Sequence, residues 1–379
     1  MKDTKYKIIS LLKKLKWSLV HSYFAIVRLL PKVSYRYFPA AGLKNWIGES
    51  DGEEHLVIEG QKIGHVGKRY IFDQIDFCKK NNQPYKIFSK NLGKTRLIGS
   101  ILTPINKSFY LATEELSCYD AKYLIKHTNL TQMYVGDVLY LKGDYTSIVG
   151  YWTYCKNYYH WFMDVLPRLI NLRHMPSDVK IIVPSNLTEY EIASLKFLGV
   201  YDRCESLPSG TDNVVVENFW FSSYAGASNA INPITYNFLR DNLLANVGRS
   251  ETNEEMIFFT RRGIKRGGLL LEQLEEYFKN KGFKLIEGAD HSFEEQVNYC
   301  RNAKVIAGLH GAALTNILWA ESGTTIIEIF SSSWLRATKE NISILGGLNY
   351  EPIIFESFND GDLKFIDWRK LDEIIKKYV

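Results

Sequence analysis

The sequence predicts an α/β fold, and three observations carry that prediction. Across the last third of the chain, short apolar runs alternate with amphipathic stretches of about ten residues, the pattern of parallel βαβ units. The 379 residues exceed the usual domain of about 100–200 residues, so two domains are expected. A composition of 46% hydrophobic and 23% charged residues is that of a globular protein, which excludes wholesale disorder, collagen-like repeats and a polytopic membrane protein.

In chain order, residues 5–30 read as a helix, because Ile8, Leu12, Leu15, Leu19, Tyr23, Ile26 and Leu30 recur at three- and four-residue spacing with Lys7 and Lys14 on the opposite side. Such a basic amphipathic helix suits an anionic membrane surface, and it equally suits docking on the protein's own core. From Pro31 to about residue 150 the text is mixed, with short β-like runs at Leu56 to Ile58 and Val138 to Leu141. A helix is expected from Asn157 to His174, then a strand at Val179 to Val183 stopped by Pro184, and another at Val214 to Val216.

Met256 to Phe259 is a strand, Leu269 to Lys279 a helix ended by Gly282, and Phe283 to Ile286 a strand. Ser292-Phe293-Glu294-Glu295 is a capping box that opens a helix to Asn302, and Lys304 to Ala307 is the next strand. His310-Gly311 leads into a helix to Trp319, Gly323 turns the chain, and Thr324 to Ile329 is a strand. This is half of a doubly wound sheet, whose ligands bind beyond the carboxyl ends of its strands. The expected division is 1–44, 45–245, 246–360 and a C-terminal helix in 361–379 packing back on the first domain.

Residues 1–44 hold ten lysines and arginines against the single acid Asp3, so the net +5 is an N-terminal property and the rest of the chain is slightly acidic. A nucleic-acid partner is therefore not expected. Five widely spaced cysteines, without a C-x-x-C pair or zinc spacing, read as reduced thiols of a cytoplasmic protein.

Three constellations carry chemistry. The loop Gly308-Leu309-His310-Gly311-Ala312-Ala313-Leu314-Thr315-Asn316 combines small residues with a helix start, a cradle for a diphosphate or simply a tight turn. Thr260-Arg261-Arg262-Gly263-Ile264-Lys265-Arg266 places four cations at the same ligand edge, where guanidinium groups bind phosphate bidentately. On the 157–174 helix, Asn157, His160, Asp164 and Arg168 fall within about 80° of one another, opposite Tyr158, Phe162, Val165, Leu166 and Leu169. His160 and Asp164 are i, i+4 neighbours, and either group could take a proton from a hydroxyl. Glu328 ends an apolar strand, where an acid needs a partner. Asp360-Gly361-Asp362 is a D-x-D, a metal signature or a common turn. Neither G-x-G-x-x-G nor a P-loop is present.

Taken in order, Asn157-Tyr158-Tyr159-His160-Trp161-Phe162-Met163-Asp164-Val165-Leu166-Pro167-Arg168, then Thr260-Arg261-Arg262, Phe293-Glu294-Glu295-Gln296, His310-Gly311-Ala312-Ala313-Leu314-Thr315-Asn316, Gly323 and Glu328, the chain resembles glycosyltransferase family 61 over about residues 145–335. The resemblance implies a GT-B architecture of two facing Rossmann-like domains. It also implies an inverting, metal-independent transfer of xylose, N-acetylglucosamine or arabinose from a nucleotide sugar such as UDP-xylose or UDP-GlcNAc. A bacterial member would add the sugar to a capsular, exopolysaccharide or lipopolysaccharide acceptor, lipid-linked or free, on the inner face of the cell membrane.

By that resemblance Asp164 or His160 is the base, Asn157, Trp161 and Arg168 lie on the acceptor side, and no cofactor is needed. Arg261, Arg262, Lys265, His310, Gly311, Ala312, Leu314, Thr315 and Asn316 hold the donor, with Glu328 on its ribose. The chain departs from relatives at Gly267-Gly268, where a polar Asn-Glu pair is usual. The alternative is a non-catalytic glycan- or nucleotide-binding subunit of a polysaccharide assembly complex.

Overall fold

The computed structural model describes residues 54–59, 86–105, 137–150, 152–153, 156–225, 231–249, 255–261, 268–356 and 365–378. The expected 5–30 helix, Arg262, Lys265, Asp360 and Asp362 lie outside them.

Two sheets organise the described residues, and the second has the predicted alternation of strands and helices. Strands β9 (Met256–Phe259), β10 (Lys284–Ile286), β11 (Val305–Leu309), β12 (Thr325–Ser331) and β13 (Asn349–Phe355) pair throughout in parallel, in the order β10-β9-β11-β12-β13. The chain leaves β9 toward one edge and returns on the other side at β11, so the topological switch point lies between those two strands.

Every residue of β11 and β12 is buried, and alternation explains why these strands read as unbroken apolar runs. Ile257, Phe259, Ile306 and Ile326 pack on one face with Phe293, Val297 and Cys300 of α5 (Phe293–Asn302), with Leu314 and Ile317 of a 3-10 helix (Ala313–Trp319), and with Ile342 of α6 (Thr338–Gly346). Phe258, Val305, Ala307, Ile327 and Ile329 pack on the other, against Leu274 and Phe278 of α4 (Gly268–Asn280) and Leu371 and Ile375 of α7 (Trp368–Ile375). The C-terminal helix therefore docks on the second sheet and not on the first domain. Tyr277 Oη donates to Asp372 Oδ1 at 2.6 Å, and Lys281 Nζ lies 2.9 Å from the same oxygen.

α5 starts where its capping box dictates. Ser292 Oγ accepts from the Glu295 amide and Glu295 Oε2 from the Ser292 amide. These bonds hold the exposed Glu295 carboxyl below its ordinary pKa. Gly282, at φ +85, makes the left-handed turn that ends α4.

The first sheet is mixed. Strands β5 (Leu139–Ser147), β6 (Lys180–Val183), β7 (Cys204–Ser206) and β8 (Asn213–Ser222) run parallel in the order β8-β5-β6-β7. Two antiparallel partners flank β8, namely β2 (Lys86–Asn91), which pairs in turn with β1 (Glu54–Glu59), and β3 (Thr95–Ile98), which pairs with β4 (Thr103–Ile105). The core of this sheet is parallel and its extension antiparallel. Its own switch point falls between β5 and β8, and the 157–174 segment follows β5 in the chain.

That segment is continuous but not one α-helix. α1 (Tyr158–His160) passes into a π-helical turn (Trp161–Val165) and then a 3-10 helix (Leu166–His174). Pro167 has no N–H to give, and the change of pitch rotates every later side chain from its ideal α-helical bearing. Phe162 lies between the halves, its ring stacked on Phe293 at 5.3 Å and edge-on to Trp319 at 5.5 Å. One hydrophobic core thus includes residues of both halves.

Candidate active site

At the carboxyl edge of β5, Asn157 caps α1, its Oδ1 accepting from the amides of Tyr159 at 2.9 Å and His160 at 3.4 Å. One turn on, His160 Nδ1 and Asp164 Oδ2 lie 2.6 Å apart. The carboxylate is buried and the imidazole keeps 15% of its surface. Trp152 stacks on the ring at 3.6 Å with planes 10° apart, which fixes its tilt. A carboxylate accepting from Nδ1–H sets the tautomer and leaves Nε2 as the proton acceptor, the arrangement of a general base with its orienter.

At the other switch point, Arg261 follows β9 and His310 follows β11. Arg261 Nη1 donates to the His310 carbonyl at 2.6 Å, bridging the two loops. The bridge needs Gly311, since a Cβ there would lie 2.8 Å from Arg261 Cζ and Nη1. Gly308 permits a second close approach, with a Cβ position 3.1 Å from the Phe259 carbonyl.

His310 Nδ1 lies 2.6 Å from Glu328 Oε1, and Tyr350 Oη donates to Glu328 Oε2 at 2.6 Å. Phe330 stacks on the imidazole at 4.8 Å. Burial lowers the His310 pKa, with Lys339 and Arg261 adding to the effect and Glu328 opposing it, while burial and then Glu328 raise the Tyr350 phenol well above its ordinary value. The imidazole is neutral at pH 7, with Nδ1–H on Glu328 and Nε2 an acceptor.

Lys339 of α6 completes this cluster and was not singled out from the sequence. It is 2% exposed. Burial lowers its pKa from 10.5 to about 8, against the attraction of Glu328 and helped by Arg261. Its ammonium sits 4.5 Å from the ring centroid of Tyr159, whose own ring meets His160 edge-on at 5.2 Å. The halves also meet where Tyr158 Oη donates to Asn316 Oδ1 at 2.6 Å.

The remaining expected residues divide by burial. Trp161 is enclosed, its indole N–H on Ser194 Oγ at 2.9 Å. Arg168 is 2% exposed, donating to the Ser222 and Val149 carbonyls with its guanidinium 5.0 Å from the Tyr224 ring centroid. The change of helical pitch carries Arg168 inward.

Leu314 is core, and Asn316 is interior, donating to Gln296 Oε1 and the Ala313 carbonyl. Thr315 is likewise interior. Ala312 is half-buried at the N-cap of the seven-residue 3-10 helix. Glu328 meets His310 through one oxygen and Tyr350 through the other, so within the fold it orients the His310 ring. Among the described residues no group of three His, Cys, Asp or Glu side chains is placed to hold a metal ion.

Residues 158–327 match the model of the family described as Glycosyltransferase 61. A 97-residue stretch is 37% identical to "Beta-1,2-xylosyltransferase" of Arabidopsis thaliana, covering 25% of this chain and 18% of the plant protein. The matched region contains His160, Asp164, Arg261 and His310 and ends one residue short of Glu328.

Proposed function

With residues 158–327 a glycosyltransferase family 61 segment, we propose that this chain moves a sugar from a nucleotide diphosphate sugar to a hydroxyl of a glycan. The reading adopts the GT-B arrangement, with the first half taking the acceptor and the second the donor. It rests above all on one observation. A histidine–carboxylate pair stands beyond β5 in the first half, a cationic crossing of Arg261 over the His310 loop stands at the switch point of the second, and the Tyr158–Asn316 bond joins the two segments.

In the proposed inverting step His160 Nε2 takes the proton of the acceptor hydroxyl as its oxygen attacks the anomeric carbon. Asp164 holds the imidazole and stabilises the imidazolium that forms. The bond from the anomeric carbon to the diphosphate oxygen breaks on the opposite face, and the leaving diphosphate takes the electron pair. Arg261 meets that growing charge with guanidinium donors, which replaces a metal ion in this reading. The neutral His310 is suited to accept from a donor hydroxyl through Nε2.

A UDP-linked donor, UDP-xylose or UDP-GlcNAc, is proposed from the family, and the plant relative's name favours the pentose. The basic segment at residues 5–30 supports a peripheral seat on an anionic membrane, where a lipid-linked acceptor of bacterial surface polysaccharide is made. Calorimetric titration of a nucleotide-sugar panel with EDTA present tests the reading. One UDP-sugar should bind and be turned over with a glycan acceptor. Binding without turnover would favour the non-catalytic subunit, and affinity restored only by Mg²⁺ or Mn²⁺ would remove the metal-independent mechanism.

A further inference from the structure

A hydrogen bond fixes one atom of an imidazole and leaves the ring free to pivot about it, because the last torsion of histidine has broad wells. For His160 that bond is the contact of Nδ1 with Asp164 at 2.6 Å. A base must also aim its Nε2, so a second group has to set the plane of the ring. Trp152 does so, its indole 3.6 Å from the imidazole between ring centroids with the planes 10° apart. Tyr159 meets the same ring edge-on at 5.2 Å.

Trp152 is itself held in place. It is buried and belongs to the hydrophobic core that includes residues of both halves. The backbone around it is pinned just beyond β5. The Ile148 amide donates to the Ile182 carbonyl at 3.1 Å, and the Thr153 amide and hydroxyl both donate to the Gly150 carbonyl, at 3.2 Å and 2.7 Å. Arg168 adds a longer bond, at 3.5 Å, to the Val149 carbonyl. The segment that bears His160 and Asp164 therefore also anchors, through Arg168, the loop whose indole covers His160.

The stack has an electrostatic consequence as well. An imidazole that accepts a proton becomes a cation, and the electron-rich face of an indole attracts a cation more than it attracts a neutral ring.

We propose that Trp152 is a positioning residue of the transfer, setting the plane of His160 so that Nε2 faces the acceptor hydroxyl and stabilising the imidazolium formed there. The role rests on the glycosyltransferase reading and deepens it. Trp152 itself exchanges no proton. The proton passes from the hydroxyl oxygen to Nε2 of His160, while an electron pair of that oxygen forms the bond to the anomeric carbon.

The test is single-turnover transfer beside calorimetric UDP affinity on the full chain. Trp152→Leu and Trp152→Phe are made in the parent, and Trp152→Leu also in His160→Ala. Trp152→Leu should lower turnover about tenfold or more, because a small misplacement of a reacting group is costly, with UDP affinity within about threefold. Trp152→Phe keeps an aromatic face and should recover most of that loss. In His160→Ala the leucine should cost less than about twofold more, since the ring it would misplace is gone. Proton NMR gives a reading that needs no activity. The His160 ring signals, identified by their loss in His160→Ala, should lie upfield of the ordinary imidazole range under the indole ring current. Parental turnover in folded Trp152→Leu, an equal loss in the His160→Ala background, or ordinary His160 shifts in the parent overturns the role, and the last holds even where the leucine variant fails to fold. A parent that transfers from no nucleotide sugar overturns the glycosyltransferase reading and the role with it. Parental turnover in Trp152→Leu beside an impaired His160→Ala overturns the role alone.

Discussion

Replacing Lys339 by methionine should make the unliganded protein more stable at neutral pH. The exchange shortens the side chain by one atom, keeps most of its volume and removes a buried charge. The distance from 10.5 to about 8 corresponds to about 3 kcal/mol of preference for the neutral amine inside the fold. Because the folded pKa lies below the unfolded one, the unfolded chain holds more protons between about pH 8 and 10.5. Stability of the parent therefore rises with pH through that window, and the full cost is present below it. Urea unfolding of parent and variant at pH 7 should give a difference of about 2–3 kcal/mol in favour of Lys339→Met, shrinking by pH 10. A variant less stable than the parent at pH 7 would show that Lys339 is net favourably paired, and the reasoning would fail.

Acid should weaken the fold through His310, whose folded pKa lies below the unfolded 6.5. The unfolded chain takes up a proton that the fold resists as pH falls through about 6.5, and unfolding curves of His310→Gln should lack that part of the acid loss. Gly311→Ala should displace the Arg261 guanidinium from the His310 carbonyl and cost about tenfold in UDP affinity, with the melting temperature little changed because a flexible side-chain end can move. Phe162→Ala should destabilise by about 3–5 kcal/mol in denaturant, since the ring packs on Phe293 and Trp319 across the halves. A loss below about 1 kcal/mol would mean the halves do not depend on that core.

What could be read in the sequence follows from how local its causes are. β9, β11 and β12 are apolar runs because both faces of their sheet are covered, and the capping box before Phe293 is chemistry confined to four residues. Glu328 announced itself as an acid on an apolar strand, but its two partners come from β13 and the loop beyond β11, so its role was not legible. The stripe from Asn157 to Arg168 presumed 100° per residue. The π-helical turn and the 3-10 helix change that angle, keeping His160 with Asp164 while turning Arg168 into the interior. Lys339 stands in a helix whose text, Thr338-Lys339-Glu340-Asn341, reads as solvent-facing. Its ammonium meets the ring of Tyr159, which is remote in sequence and belongs to the other half. Trp152, stacked on His160 from before α1, was hidden for a similar reason, because nothing in the spacing shows a ring contact across a loop.

The most direct test of the account is single-turnover transfer by the parent, His160→Ala and Asp164→Asn, measured beside UDP affinity on the same preparations. The pair is read as base and orienter at 2.6 Å, so both variants should lose turnover, by about 10²-fold or more, with the larger loss at His160 and donor affinity within a few-fold of the parent. Near-parental turnover in both folded variants would contradict the account.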